Sequence, residues 1–182
     1  AIQDDFLNTW PVERLKDMTL AVYSNREKTS FTYWLEFKTR WTGSIKGGSS
    51  LKFLVYNRNQ RYDVPAKKSW STDGVYAWQT SLGATAQDVF QVVHAEVLKL
   101  VEAGQAMDFE AIEKSTLFGP AVKWKIAAMY NSGHIFQVFN LRVANEMLSV
   151  LDAQADTFQR ALSLPEAQRS LMEHKPADAS AL

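Results

Sequence analysis

Between Gly43 and Ser50 the chain reads GSIKGGSS, with Gly43 and Gly48 standing five residues apart ahead of the hydroxyl pair Ser49 and Ser50. That spacing approaches a phosphate-binding loop, whose backbone N–H groups wrap the phosphates of a nucleotide, but Ser49 occupies the place of the lysine that must reach the β and γ phosphates. The residues that follow alternate like a strand where such a loop has to open a helix, so nucleotide hydrolysis is not expected. A weaker capacity remains: Gly47 and Gly48 admit a phosphate close to the backbone, and Ser49 and Ser50 can donate to it. Glu36-Phe-Lys38 is a second pattern. On a strand, a spacing of two puts both side chains on one face, as half of a metal-dependent nuclease site requires, yet such a site needs a further upstream acid. The only nearby candidate, Asp17, falls in a predicted helix, and an exposed ion pair explains Glu36 and Lys38 as well. His94, His134 and His174 are far apart and lack a second ligand at metal spacing. No Gly-x-Ser-x-Gly elbow is present, and the absence of cysteine removes thiolate chemistry. No catalytic residue, metal or cofactor is therefore expected.

Charge and aromatic placement point elsewhere. The formal net charge is zero, yet from Lys38 to Lys68 the chain carries Lys38, Arg40, Lys46, Lys52, Arg58, Arg61, Lys67 and Lys68 against the single acid Asp63. Acids concentrate later, with Asp88, Glu96, Glu102, Asp108, Glu110 and Glu113 against Lys99 and Lys114 between residues 85 and 118. A folded body with one basic side attracts polyanions over roughly a Debye length of 10 Å. Of the six tryptophans, Trp10, Trp78 and Trp124 sit in apolar patterns and are expected in the core. Trp34, Trp41 and Trp70 fall on the polar side of a predicted strand or in basic loops, where an exposed indole can stack on an unstacked base.

The elements that must position these residues are legible in outline. Phe31, Tyr33, Leu35 and Phe37 alternate with Thr32, Trp34, Glu36 and Lys38, which predicts a strand, and Leu51, Phe53 and Val55 predict a second. Together they predict a hairpin over 31–56 whose long tip, 38–50, is cationic and glycine-rich. Helices are predicted near 3–9 and after Pro11, from Thr85 as N-cap with Asp88 at N3 to a C-terminal cap at Gly104, from Asp108 through Ile112, from Pro120 through Met129, and from Leu141 to Leu151. On the Pro120 helix, Lys123 and Lys125 fall off the apolar line. The alternation of HIFQVFN, 134–140, predicts a short buried strand paired with the hairpin. Early strands, late helices and no regular strand–helix alternation predict an α+β domain with a small antiparallel sheet and a central hairpin packed against a helical C-terminal half. With 182 residues and 46% hydrophobic content, the expected division is one recognition domain over 1–151 and a helical tail or linker over 152–182. No apolar run reaches the roughly 18 residues of a membrane span, and AIQDDFLNTW lacks the features of a signal peptide, so a cytoplasmic location is expected by elimination.

WPVERLKDMTL near the start, YWLEFKTRWTGSIKGGSSLKFLVY, the YAW at 76–78 with Leu82-Gly83 beyond it, and GPAVKWKIAAMY resemble the N-terminal region of McrB-type AAA+ restriction proteins. The resemblance covers roughly residues 5–150 and lies in a set of blocks, none of them a catalytic motif. It implies a target-recognition domain, with an NTP-hydrolysing AAA+ motor in cis and a nuclease subunit in trans. Relatives of this kind include domains that read methylated DNA by turning a modified base into an aromatic pocket. Where the family's stretches carry an acidic or small residue after Thr39, this chain has Arg40-Trp41, which strengthens the basic loop and bears on target choice.

The expectation is a non-catalytic DNA-binding specificity domain of a modification-dependent restriction system. Its contact residues are Lys38, Arg40, Trp41, Lys46, Gly47, Gly48, Ser49, Ser50, Lys52, Arg58, Lys67 and Lys68, with Trp34, Trp41 and Trp70 as base-stacking candidates. DNA, with or without a modified base, is the expected partner, and no membrane is. The alternatives are an assembly domain that docks a motor or nuclease through the apolar surface of the 119–130 helix, and a nuclease using Glu36 and Lys38.

Overall fold

The computed structural model describes residues 2–45, 47, 50–58, 69–131, 133–152 and 162–175. The chain divides into two compact units, Ala1–Arg40 with Ser44–Lys99, and Trp41–Gly43 with Leu100–Leu182. The architecture is α+β, largely helical with one small antiparallel sheet. The boundary expected at 151/152 falls inside the second unit.

In the first unit, α1 (Ile2–Thr9), α2 (Val12–Lys16), α3 (Leu20–Tyr23) and α4 (Phe31–Tyr33) precede a π-helical turn, Trp34–Lys38. Thr19 and Ser30 cap α3 and α4 by accepting from the Val22 and Tyr33 amides, which satisfies donors that a first helical turn leaves open. The stretch predicted as the first arm of a hairpin is thus helical. Burial explains why: Phe31, Thr32, Leu35, Glu36 and Thr39 are buried while Phe37 and Lys38 are exposed, a helical spacing that the β-prone composition of FTYWLEF conceals. Thr39 closes the turn by donating its hydroxyl to the Leu35 carbonyl at 2.9 Å. Phe6, Trp10, Tyr23, Phe31 and Phe90 form the aromatic centre of this unit, with Trp10 edge-on to Phe31 at 5.5 Å.

A 3₁₀ turn, Ser50–Phe53, and Leu54 with φ of 68° delay the second predicted strand. Only β1 (Val55–Asn57) is extended. It pairs with β3 (Tyr76–Gln79), which also pairs with β2 (Trp70–Thr72), giving the antiparallel order β1-β3-β2. The hairpin of this sheet is therefore β2–β3. Its turn is held by Asp73, whose Oδ1 accepts from the Val75 and Tyr76 amides at 2.9 and 2.7 Å.

Helix α5 (Ala86–Gln105) starts at the predicted box: Thr85 Oγ1 accepts from the Asp88 amide, and Asp88 Oδ2 accepts from the Thr85 amide. It then runs through Gly104 and does not end there. In the second unit α6 (Phe109–Lys114), capped by Asp108, packs on α7 (Pro120–Met129), and α8 (Leu141–Asp152) packs on α9 (Leu164–Glu173). A Cβ on Gly104 would lie 2.5 Å from the Ala127 carbonyl oxygen, so glycine serves close packing against α7. The predicted strand 134–140 is absent from the sheet. Its backbone is served by the buried amide of Gln168 on α9, which accepts from the Phe136 amide and donates to the Phe136 and Val138 carbonyls. That segment belongs to the second unit, as does α9, which lies in the 152–182 stretch expected to be a tail or linker and buries Leu164, Ala167 and Leu171. Among the described residues no helix is long and apolar enough to cross a membrane.

Candidate nucleic-acid interface

Side chains on neighbouring strands share a face when their residues stand opposite one another. Tyr56 stands opposite Ala77, Ala77 opposite Thr72, and Gln79 opposite Trp70. Because side chains alternate along a strand, Tyr56, Ala77, Gln79, Trp70 and Thr72 lie on one face. Arg58, two residues beyond Tyr56, points the same way. The small Ala77 on the middle strand lets the two outer aromatics meet, with ring centroids 5.9 Å apart and planes tilted by 53°. Both rings are half-buried. Arg58 is tied to the sheet end by its amide, which donates to the Val75 carbonyl at 2.8 Å, and by Nη1, which reaches Thr72 Oγ1 at 3.3 Å. Its buried Nε has no acceptor among the described residues. Partial burial raises the Tyr56 hydroxyl above the ordinary phenol value and the Arg58 charge opposes this, so the ring stays neutral at physiological pH. The face therefore carries two half-buried rings, a half-buried guanidinium anchored at Thr72, and the Gln79 amide, whose Nε2 donates to Ser81 Oγ at 3.2 Å.

The π-helical turn presents a second group in the same unit. Tyr33 and Phe37 pair with centroids 4.9 Å apart, and the exposed Lys38 ammonium lies 5.9 Å from the Trp34 ring. Phe37, read from the alternation as inward, is 40% exposed, while Glu36, read as outward, is buried. On a helical turn residues two apart point to different sides, so Glu36 and Lys38 do not form the shared face that the nuclease pattern needs. Among the described residues no group of three His, Asp or Glu side chains could hold a metal.

Lys52 was expected to contact phosphate and is instead committed inside the protein. Its Nζ donates to Glu36 Oε1 at 2.6 Å and to the Ile45 and Gly47 carbonyls at 2.9 Å each. Three oxygens take up the three donors of an ammonium, and the lysine becomes a staple for the 45–47 loop. Arg40, Gly47 and Ser50 are exposed. Lys46, Gly48, Ser49, Lys67 and Lys68 lie outside the described residues. Trp41 belongs to the second unit, where its indole is 74% exposed. Of the expected contact residues, the structure brings Arg58 and Trp70 together on one face and Trp34 and Lys38 together on one turn. Tyr56 and Gln79 were not anticipated; the signal for them was the pairing of 55–57 and 70–72 with a common middle strand, obscured by reading 31–38 as the partner strand.

The other tryptophans behave as core residues, whereas His94 is half-buried and His134 and His174 are exposed. Trp10, Trp78 and Trp124 are buried, and His94 stacks on Phe90 while its Nε2 donates to the Leu15 carbonyl at 2.6 Å. Eight consecutive residues of α7, Val122 to Met129, are buried, so the 119–130 helix does not carry the free apolar face that docking would need. Buried among them, Lys125 donates to the Thr42 carbonyl and to Thr42 Oγ1, and burial depresses its pKa from 10.5 to about 7. Comparison of the chain with protein-family models, with curated proteins and with solved structures returns no match.

Proposed function

We propose that this chain is a DNA-binding specificity module of a modification-dependent restriction system, non-catalytic in itself, serving an AAA+ motor in cis and a nuclease subunit in trans. The observation that carries the binding half of this reading is the meeting of Arg58 and Trp70, with Tyr56, on one sheet face. A guanidinium beside aromatic rings suits a polymer of phosphates and bases, since the charge takes the backbone and the ring takes the base. Lys38 and Arg40, exposed in the same unit, supply further phosphate contacts. Lys46, Gly47, Gly48, Ser49, Ser50, Lys67 and Lys68 belong to the proposal on sequence grounds. Lys52 does not, because Glu36 neutralises it. The restriction half is supported by the resemblance of YWLEFKTRWTGSIKGGSSLKFLVY and GPAVKWKIAAMY to McrB-type N-terminal regions.

The test is fluorescence anisotropy on unmodified, 5-methylcytosine and N6-methyladenine oligonucleotides, as duplexes and as their separate strands, over a series of salt concentrations. Each lost phosphate contact flattens the slope of log K against log salt by roughly 0.9 on duplex and 0.7 on a single strand. The variant Lys38→Ala/Arg40→Ala/Arg58→Ala is expected to bind more weakly with a shallower slope. No binding of any oligonucleotide at low salt, or an unchanged slope in the variant, overturns the reading.

A further inference from the structure

We infer that the sheet face formed by Tyr56, Trp70 and Arg58 is a binding site for an unpaired strand of nucleic acid, a base stacking on the aromatic pair and the guanidinium taking a neighbouring phosphate. This rests on the proposed nucleic-acid reading and narrows it to one structural form of the ligand. The tilt of 53° between the two rings means that they do not consume one another's π faces by parallel stacking. Each therefore keeps surface for a third planar group. A duplex reaches that surface only by turning a base out of its stack, at a cost of a few kcal/mol, because its paired bases present only their edges in the grooves. An unpaired strand offers both partners at the spacing of one nucleotide, and stacking tolerates any base because every base has a π face.

Arg58 discriminates between classes of ligand. Its Nη1 is oriented by Thr72 Oγ1 while its buried Nε has no acceptor among the described residues. A half-buried guanidinium anchored through Nη1 is held in one orientation, in which an anion can meet it. An acidic peptide would pair with the guanidinium and leave the rings idle. An apolar ligand would cover the rings and leave a half-buried charge uncompensated, which is costly. A nucleotide satisfies both. The Gln79 amide lies on the same face opposite Trp70, with its Nε2 donating to Ser81 Oγ at 3.2 Å.

The experiment measures binding of the full chain to a twelve-nucleotide single strand, to the duplex of the same sequence, and to an abasic strand with the same phosphates. The single strand is expected to bind at least tenfold more tightly than the duplex and the abasic strand. Tyr56→Ala and Trp70→Ala are each expected to weaken single-strand binding roughly tenfold, the scale of one lost base stack. Tyr56→Phe and Trp70→Phe keep a ring and are expected to retain binding, which separates stacking from a loss of fold. Equal or tighter duplex binding, or a preference for a modified duplex over the single strand, overturns this inference and leaves the DNA-binding reading standing. So does equal binding of the abasic strand. Failure to bind any of the three overturns both.

Discussion

Replacing Lys125 with Met is expected to change how stability depends on pH. The wild-type side chain is fully buried on α7, and burial lowers its pKa from 10.5 to about 7. In the unfolded chain the amine holds its proton up to about 10.5; in the folded chain it releases it near 7. Between these values the unfolded state binds more protons, so stability rises with pH over this window and is flat below it. Each pH step of one over which the unfolded chain holds one more proton contributes about 1.36 kcal/mol, and with these two pKa values the gain between pH 6 and pH 9 comes to about 2.5 kcal/mol. The two hydrogen bonds to the Thr42 carbonyl and hydroxyl survive the loss of the proton, because a neutral amine keeps two N–H groups. The assay is urea unfolding at pH 6, 7, 8 and 9 for the wild type and Lys125→Met, with the difference between the two curves cancelling every other titrating group. The difference is expected to move by about 2.5 kcal/mol in favour of the wild type as pH rises. A difference that stays constant within about 0.5 kcal/mol, the usual scatter between independent sites, refutes the burial argument.

Other substitutions follow from single contacts. Gly104→Ala places a methyl against the α7 backbone at Ala127; helix propensity favours alanine by about 1 kcal/mol, but overpacking against backbone costs about 1–3 kcal/mol, so the melting temperature is expected to fall by a few degrees. Tyr23→Phe removes the buried hydroxyl that donates to the Phe53 carbonyl at 2.9 Å and is expected to cost about 1–2 kcal/mol in a denaturant titration. Lys52→Met strands the Glu36 carboxylate and two carbonyls and is expected to cost about 3 kcal/mol, the low end of the range for breaking a buried pair, while leaving the salt slope of DNA binding unchanged; a flattened slope would return Lys52 to the phosphate contacts.

What could be read in the sequence follows from how locally each feature is determined. The Thr85–Asp88 box, the Asp108 cap and the Pro120 start depend on residues within one helical turn, and all three appear where the spacing puts them. The 31–38 stretch depends on tertiary burial. Its aromatic and β-branched residues favour a strand, and only the inward positions of Leu35, Glu36 and Thr39 make it helical. The same limit applies to 134–140, whose alternation matches an extended chain but whose Phe136 backbone is served by Gln168, 32 residues away. Alternation reports which side chains are inward; it does not report what satisfies the backbone. Lys125 was unreadable for a related reason: a lysine among alanines and aliphatics looks like the polar edge of a helix until the chain at Thr42 covers it.

The candidate site moved for a physical reason that the basic run itself contains. Eight cations between Lys38 and Lys68 read as one positive surface only if each is free to face solvent. Lys52 is not, because the helical geometry at 34–38 turns Glu36 inward to meet it, whereas a strand would have sent both to the surface. The charge that a hairpin tip would have gathered is partly spent on folding the loop at Ile45 and Gly47. What the sheet gathers in its place is smaller and more specific: one guanidinium, two rings and an amide, set by a register of three short strands. A site of that composition adds stacking to the counterion release supplied by Arg58, Lys38 and Arg40, so the loss of a single ring should weaken binding without changing the salt slope, whereas the loss of a cation should flatten it.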